Sequence, residues 1–428
     1  MMQKLPGFRD FYPDECAFRQ YVFETWRRAA RSHGFQEYDG PTLELTDLYR
    51  KKSGEELKTQ LFRFIDPGER DVCLRPEMTP TLARLVAARE RDFRKPIKWF
   101  SIAPFFRYEK SQRGRLREFY QLNCDLIGDA SPAADAELIG FAVALFRAFG
   151  LTERDFYVRI NNRELWGRYL QDRGVPAERF SEFLAIVDKW EREDEATTAT
   201  KLRAFDLSPA ELKNFLATPA DRLPGFEALF RELRLRDLEP FIDVDLTVVR
   251  GLDYYTGLVF EVFDRARQNR ALAGGGRYDG LIAAISDGAV DLPAAGFAIG
   301  DVVLGNLLEE VEPAHARAAA WLHKATRLDA FVVITGEERR ADALKLVEQL
   351  RARGYATDYT LNPAKVGKQF QQAEAAGATY ALVIGQEWPA IKLKRMADRV
   401  EEVVLQPDLW HKLELSPSSS CYVPHPHL

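Results

Sequence analysis

Val248-Val249-Arg250-Gly251-Leu252-Asp253-Tyr254-Tyr255-Thr256-Gly257, followed after a strand by Ala273-Gly274-Gly275-Gly276-Arg277-Tyr278-Asp279-Gly280-Leu281, decides how the rest of the chain is read. Each block sets an arginine beside tyrosines and an aspartate, among glycines that let the backbone turn tightly or approach a ligand. A guanidinium at a strand end can hold a phosphate or carboxylate through its planar fork, and neighbouring Tyr and Asp side chains can read polar groups. Either block alone reads equally well as an ordinary turn in a sheet. Corroboration has to come from outside them.

Upstream, Ile97 to Tyr108 and Arg117 to Ile127 read as two long strands joined by a charged loop, an antiparallel hairpin. Alternation places Phe105, Arg107 and Glu109 on one face and Phe106 and Tyr108 on the other. On the return strand Arg117, Phe119, Gln121, Asn123 and Asp125 share a face, opposite Glu118, Tyr120, Leu122, Cys124 and Leu126. A polar row that persists so far along a strand lines either solvent or a ligand site. Lys110, Arg113 and Arg115, around Gly114, make the loop cationic enough to grip a triphosphate. The signatures GxxxxGK(S/T), GxGxxG and HExxH are absent, Asp279 standing where the third glycine of the second would fall. Any ATP is therefore expected on arginines and a sheet floor, not on a glycine loop.

The length of 428 residues predicts about three domains at roughly 150 residues each. A net charge of −5 argues against a generally basic nucleic-acid coat protein, although a local basic patch is compatible with it. Cys16, Cys73, Cys124 and Cys421 are scattered, with no CxxC spacing, so neither a zinc site nor a disulfide framework is expected, and no metal ligands are assigned. The start of the chain has no apolar core of a signal peptide, and the most apolar run, Leu138 to Gly150, is short and broken by Arg147. A cytoplasmic protein without a membrane span is expected.

Phe18 to His33 reads as an amphipathic helix ended by Gly34, and Thr79 to Arg89 as another with Thr79 placed to cap it. Residues 164–240 change character, with Arg, Glu, Leu and Phe at helical spacing and prolines as punctuation, and read as a helical insertion between two parts of one domain, 1–163 and 241–313. Residues 314–328 read as a linker. Residues 329–415 alternate strands and helices as a small, mostly parallel α/β unit. Residues 416–428 form a polar, Pro-rich tail expected to be disordered.

Taken together, the two opening blocks resemble the histidine-specific blocks of histidyl-tRNA synthetases. The hairpin is similar to motif 2 of the class II aminoacyl-tRNA synthetases, Phe106-Arg107-Tyr108-Glu109 matching its core. Pro41, in Tyr38-Asp39-Gly40-Pro41-Thr42-Leu43-Glu44, resembles the motif 1 proline of the dimer interface, and Leu74-Arg75-Pro76-Glu77-Met78-Thr79 the block that holds the histidine amino group. The resemblance implies an α+β fold: a class II synthetase-like antiparallel sheet flanked by helices, a helical insertion, and a C-terminal α/β anticodon-binding-like domain. It implies that Arg107 and Arg250 are catalytic, flanking the α-phosphate. Glu77, Thr79, Gln121, Asp125, Tyr254, Tyr255 and Tyr278 would hold histidine, and Arg107, Glu109, Arg115, Phe119 and Arg250 would hold ATP. Position 125 is more usually glutamate in the family. Motif 3 also departs, since Gly300-Asp301-Val302-Val303 puts valine where an arginine belongs. The implied partners are ATP with Mg²⁺, histidine, tRNA(His) and a second copy of the chain. The alternative is a non-catalytic, histidine-sensing regulatory subunit of ATP phosphoribosyltransferase.

Overall fold

The computed structural model describes residues 3–50, 59–110, 114–190, 192–219, 223–249 and 254–413, so Arg113, Arg250 and the C-terminal tail lie outside the described residues. By contacts the chain forms two units, Met1–Phe11 with Val22–His315, and Tyr12–Tyr21 with Ala316–Leu428.

The strands in chain order are β1 Gln36–Glu37, β2 Leu43–Leu45, β3 Arg63–Ile65, β4 Asp71–Leu74, β5 Ile97–Phe106, β6 Glu118–Ile127, β7 Phe156–Asn162, β8 Ile242–Val244, β9 Leu258–Asp264, β10 Ala273–Arg277 and β11 Ala294–Gly300 in the first unit. Eight of them form one sheet in the order β1-β5-β6-β11-β10-β9-β7-β8, and β2-β4-β3 form a smaller one. The six central strands of the large sheet are all antiparallel, with β1 and β8 added parallel at the edges. The α+β class and the predicted hairpin are both present, with Phe105 opposite Phe119 and Trp99 opposite Asp125.

β5 tolerates Pro104 because Phe106 N, of the same parity, points away from β6 to Arg75 O, so the missing N–H falls on the side of β5 away from its ladder with β6. The strand stops at Phe106, short of the predicted Tyr108, because Glu109 N turns back to Arg107 O at 2.8 Å. The helix Pro132–Ala148 packs its Ala, Leu and Phe face on β6, β10 and β11, and Ser131 Oγ caps it by accepting from Ala134 N at 3.3 Å.

The first helix begins at Pro13, a turn and a half before Phe18, because proline suits a first turn whose N–H groups lack partners. Gly34 ends it as expected: at φ +76° its N–H reaches Arg31 O, and Phe35 N reaches Ala30 O. Among the described residues between 163 and 234 lie five α-helices, Arg163–Gln171, Phe180–Val187, Glu195–Leu202, Pro209–Leu216 and Glu227–Arg234. The first, second and fourth share an aromatic core in which Trp166 meets Phe183 at 5.5 Å and Phe215 at 5.1 Å. The stretch read as a linker is a helix, Glu312–Thr326, as its alanine-rich run favours.

In the second unit the strands are β12 Ala330–Ile334, β13 Thr357–Tyr359, β14 Tyr380–Ile384, β15 Ala390–Arg395 and β16 Glu401–Leu405, in the order β13-β12-β14-β15-β16. β13, β12 and β14 are parallel, as predicted, and helices Arg340–Ala352 and Val366–Ala375 connect them. The antiparallel β15 and β16 were not predicted. Their lysines and glutamates, such as the Lys394–Glu401 pair at 2.9 Å, mask the strand pattern with charge.

Candidate active site

β6 forms the floor of the candidate site. Leu122, Cys124 and Leu126 are buried in the core on one side, and the opposite face carries Phe119, Gln121, Asn123 and Asp125. Asp125 stands across from Gly296 of β11, and a methyl carbon on that glycine would lie 2.1 Å from Asp125 Oδ1. Gly296 therefore makes the room that the carboxylate fills. Tyr278 Oη donates to Asp125 Oδ1 at 2.5 Å. Burial pushes the Asp125 carboxyl up to about 7, against the lowering effect of that hydrogen bond.

Asn123 Nδ2 and Ser101 Oγ, paired across β5 and β6 on the same face, are buried without a hydrogen-bond partner among the described residues. The same holds for Tyr38 Oη, whose hydroxyl proton is held tightly by burial and then by the nearby Asp125 charge. Buried polar atoms left open on a floor suit a ligand's own polar groups better than a solvent-facing strand. Neither Ser101 nor Tyr38 belongs to a block that singled it out in the sequence. Tyr38 precedes Pro41 closely, and its ring lies 5.4 Å from Trp99.

A second carboxylate faces the first cluster. Tyr254 Oη donates to Glu77 Oε2 at 2.9 Å, with the Thr79 hydroxyl also bonded to Tyr254. Thr79 does not cap its helix as expected. The cap position is Met78, without a side-chain bond, and Thr79 is the first helical residue. Arg75, fully buried, fixes this segment by donating to Asp39 Oδ1 at 2.9 Å, Gly40 O at 2.8 Å and Pro104 O at 3.1 Å. The rings of Tyr254 and Tyr255 lie 5.2 Å apart and those of Tyr254 and Tyr278 5.9 Å apart, joining the two carboxylate clusters. Burial, reinforced by Glu77 and Asp125 respectively, raises the Tyr254 and Tyr278 hydroxyls well above their ordinary value, so both act as donors.

The glycine run is not a turn. Gly274, Gly275 and Gly276 lie within β10, and a methyl carbon on Gly276 would meet the Tyr255 ring at 2.8 Å. Nor is Arg277 a ligand-binding arginine. Its guanidinium bonds Asp135 Oδ1 at 2.6 Å, Asp279 Oδ1 at 3.0 Å and Asp129 O at 3.1 Å. It ties β10 to the helix that follows β6.

The far end of β6 leads to a cationic rim. Arg107 donates from Nε to Pro76 O at 2.9 Å, and its guanidinium lies 5.3 Å from the centre of the Phe119 ring. Arg115 and Glu109 form an ion pair at 2.8 Å. Arg117 is tied elsewhere, 4.1 Å over the Tyr108 ring and bonded to Glu109 O. β11 ends opposite Gln121, and the helix Asp301–Glu310 begins there. Asp301 accepts from Tyr120 N at 3.0 Å and from Arg9 at 2.7 Å. Of the predicted residues, Glu77, Thr79, Tyr254, Tyr255, Tyr278 and Asp125 form one group and Arg107, Phe119, Glu109 and Arg115 a rim beside it, with Gln121 between them along β6.

The family profile described as "Histidyl-tRNA synthetase" matches residues 7–301, and that described as "Anticodon binding domain" matches residues 329–414. The chain is 44% identical over 425 residues to a histidine–tRNA ligase of Opitutus terrae, covering 93% of this chain and 95% of that protein. It is 37% identical over 415 residues to a histidine–tRNA ligase of Leptospira biflexa, covering 92% of this chain and 93% of that one. Among solved structures, its fold is similar to the histidyl-tRNA synthetase of Nostoc sp. PCC 7120, with TM-score 0.75 and 22% identity over 96% of this chain and 98% of that one.

Proposed function

The chain belongs to the histidyl-tRNA synthetase family, and from that premise we propose that it is a histidine–tRNA ligase, joining histidine to tRNA(His) through a histidyl-adenylate. The observation that carries the reading is the pair of buried carboxylates, Glu77 and Asp125, each hydrogen-bonded by a tyrosine hydroxyl beside an arginine-lined rim. Free histidine presents two groups that call for such acceptors, an ammonium and an imidazole N–H. Glu77 and Thr79 take the ammonium. Asp125 takes the imidazole, enclosed by Tyr254, Tyr255 and Tyr278, and Gln121 orients the carboxylate toward the rim. A site built on such bonds rejects analogues that would leave its buried polar groups unpaired.

One histidine carboxylate oxygen attacks the α-phosphorus of ATP in line. A P–O bond forms, the bond to the bridging oxygen breaks, and pyrophosphate leaves. Such transfer depends on positioning and charge stabilisation. Arg107 neutralises the α-phosphate from one side. We assign the other side to Arg250, on family resemblance, although it lies outside the described residues. Adenine stacks on Phe119 with Glu109 beside it, and Arg115 reaches the outer phosphates. Among the described residues no cluster of three His, Cys, Asp or Glu is placed to hold an ion, so the Mg²⁺ we propose enters with ATP as the counter-ion of its phosphates. The terminal ribose hydroxyl of tRNA then attacks the adenylate carbonyl and AMP leaves. Residues 329–414 contact the anticodon region.

We also propose a homodimer. β2 and β3 of the small sheet expose Leu43, Leu45 and Phe64 on one face, an apolar surface that a second copy would cover. No helix among the described residues is long and apolar enough to cross a membrane, and we assign the protein to the cytoplasm on the family premise.

Histidine-dependent exchange between ATP and labelled pyrophosphate, followed by charging of tRNA(His), is the test. Exchange and charging are expected. A protein that binds histidine but shows no exchange would overturn the ligase reading in favour of a histidine sensor.

A further inference from the structure

The rim gathers more positive charge than the motif 2 loop alone supplies. β10 begins at Ala273 opposite Ile299, β11 ends at Gly300 opposite Gln121, and β6 runs back from Gln121 into the loop. The turn between β9 and β10 is thus brought to the same edge of the sheet as the loop and the start of the helix Asp301–Glu310. That turn is firmly built: Asp264 accepts from Gln268 N at 3.0 Å and Asn269 N at 2.9 Å, and Asn269 Nδ2 donates to Glu310 Oε2 at 2.9 Å. Arg270, on its C-terminal half, is exposed.

Gly114 marks where the three elements meet. A methyl carbon there would lie 3.4 Å from Val303 Cγ2 and 4.0 Å from Arg270 Cδ. The helix start therefore presents an apolar side chain to the loop, and the cation beside it comes from the turn. Arg270 is easier to deprotonate than an ordinary arginine, through desolvation first and then through repulsion by Arg115, with Glu109 opposing and Arg192 of the insertion adding to it. Like charges gathered at one rim repel until an anion enters between them. A triphosphate supplies several negative charges and acceptor oxygens suited to guanidinium forks.

We propose that Arg270 is an ATP-binding residue that grips the outer phosphates together with Arg115, supplying from the β9–β10 turn the cation that Val303 does not. The proposal rests on the rim being the ATP site.

The test compares wild type with Arg270→Ala in the full-length protein. Arg270→Ala is expected to raise the ATP KM in pyrophosphate exchange about tenfold, with the histidine KM within about twofold of wild type, since one charge-assisted contact is lost at a solvent-facing site. Inhibition by AMP, which lacks the outer phosphates, is expected to be unchanged. An unchanged ATP KM in the active variant, or equal weakening of AMP and ATP, overturns the proposal. A wild type that binds ATP in titration calorimetry tenfold more tightly than Arg270→Ala, yet catalyses no exchange, supports this assignment while overturning the ligase reading.

Discussion

Asp125 shows how one residue's burial becomes a pH dependence. Its folded-state pKa of about 7 lies above the unfolded value near 3.9. The folded protein thus keeps a proton that the unfolded chain has lost between about pH 4 and 7, and the stability this contributes falls as pH rises through that window. The role proposed for Asp125 runs the other way, because an ionised carboxylate is the better acceptor for an imidazole N–H. The kcat/KM for histidine in pyrophosphate exchange should therefore rise through an enzyme ionisation near pH 7. Asp125→Asn should remove that ionisation, leaving only the one due to histidine itself, which ionises near 6.5 in its side chain. Tyr278→Phe should move it upward, since the lost hydrogen bond favoured the charged form. If Asp125→Asn keeps the wild-type profile, Asp125 does not face the imidazole. At this scale the sequence foretold which residues meet wherever residue type and block coincided, as with Glu77 and Tyr254 or Asp125 and Tyr278. Tyr38, Ser101 and Arg270 were not foretold, because only the pairing of β1, β5, β6, β10 and β11 carries them to the candidate site. Arg277 misled for the converse reason. Its neighbours in sequence suggest a ligand, whereas its partner Asp135 lies on a helix far along the chain.

Among the elements, β10 and β11 show what a run of small residues is for. Gly276 leaves space for Tyr255 and Gly296 for Asp125, whereas Gly300, at the end of the same strand, has nothing within 4 Å of an added methyl carbon. Gly296→Ala should lower stability by about 1–3 kcal/mol through overpacking and raise the histidine KM by displacing the carboxylate. Gly300→Ala should change neither by much. Thermal denaturation and exchange kinetics on the two variants check this, and equal behaviour would show that strand geometry and not space governs the site. The hairpin of β5 and β6 was predictable because its hydrophobic alternation is long and its loop is charged. β15 and β16 were hidden by alternating Lys and Glu, and the helix Glu312–Thr326 by alanines, which carry helix propensity without a conspicuous apolar face. Both misreadings come from judging single segments by composition, where pairing or propensity decides.

On the scale of the whole molecule, the proposed dimer would connect subunit association to the candidate active site through the small sheet. Leu45 and Phe64 flank Val72 in one cross-strand row, 54% and 49% exposed, and Leu43, on the same face of β2, is 40% exposed. Such an apolar surface is costly to leave in water and is the mark of an interface. β4 ends at Leu74, and the chain continues through buried Arg75 and Pro76, whose carbonyl holds Arg107, into Glu77. Covering the small sheet with a second copy would therefore also steady the residues proposed to hold the histidine ammonium and the α-phosphate. Light scattering should give a mass of twice 48.9 kDa for wild type. Leu45→Glu and Phe64→Glu, which place charge on the outer face and disturb no buried contact of the large sheet, should give folded monomers. Pyrophosphate exchange in those monomers should fall at least tenfold, because the segment from β4 to Glu77 loses its support. A monomeric wild type would refute the interface, and monomeric variants with full exchange would show that association and activation are independent.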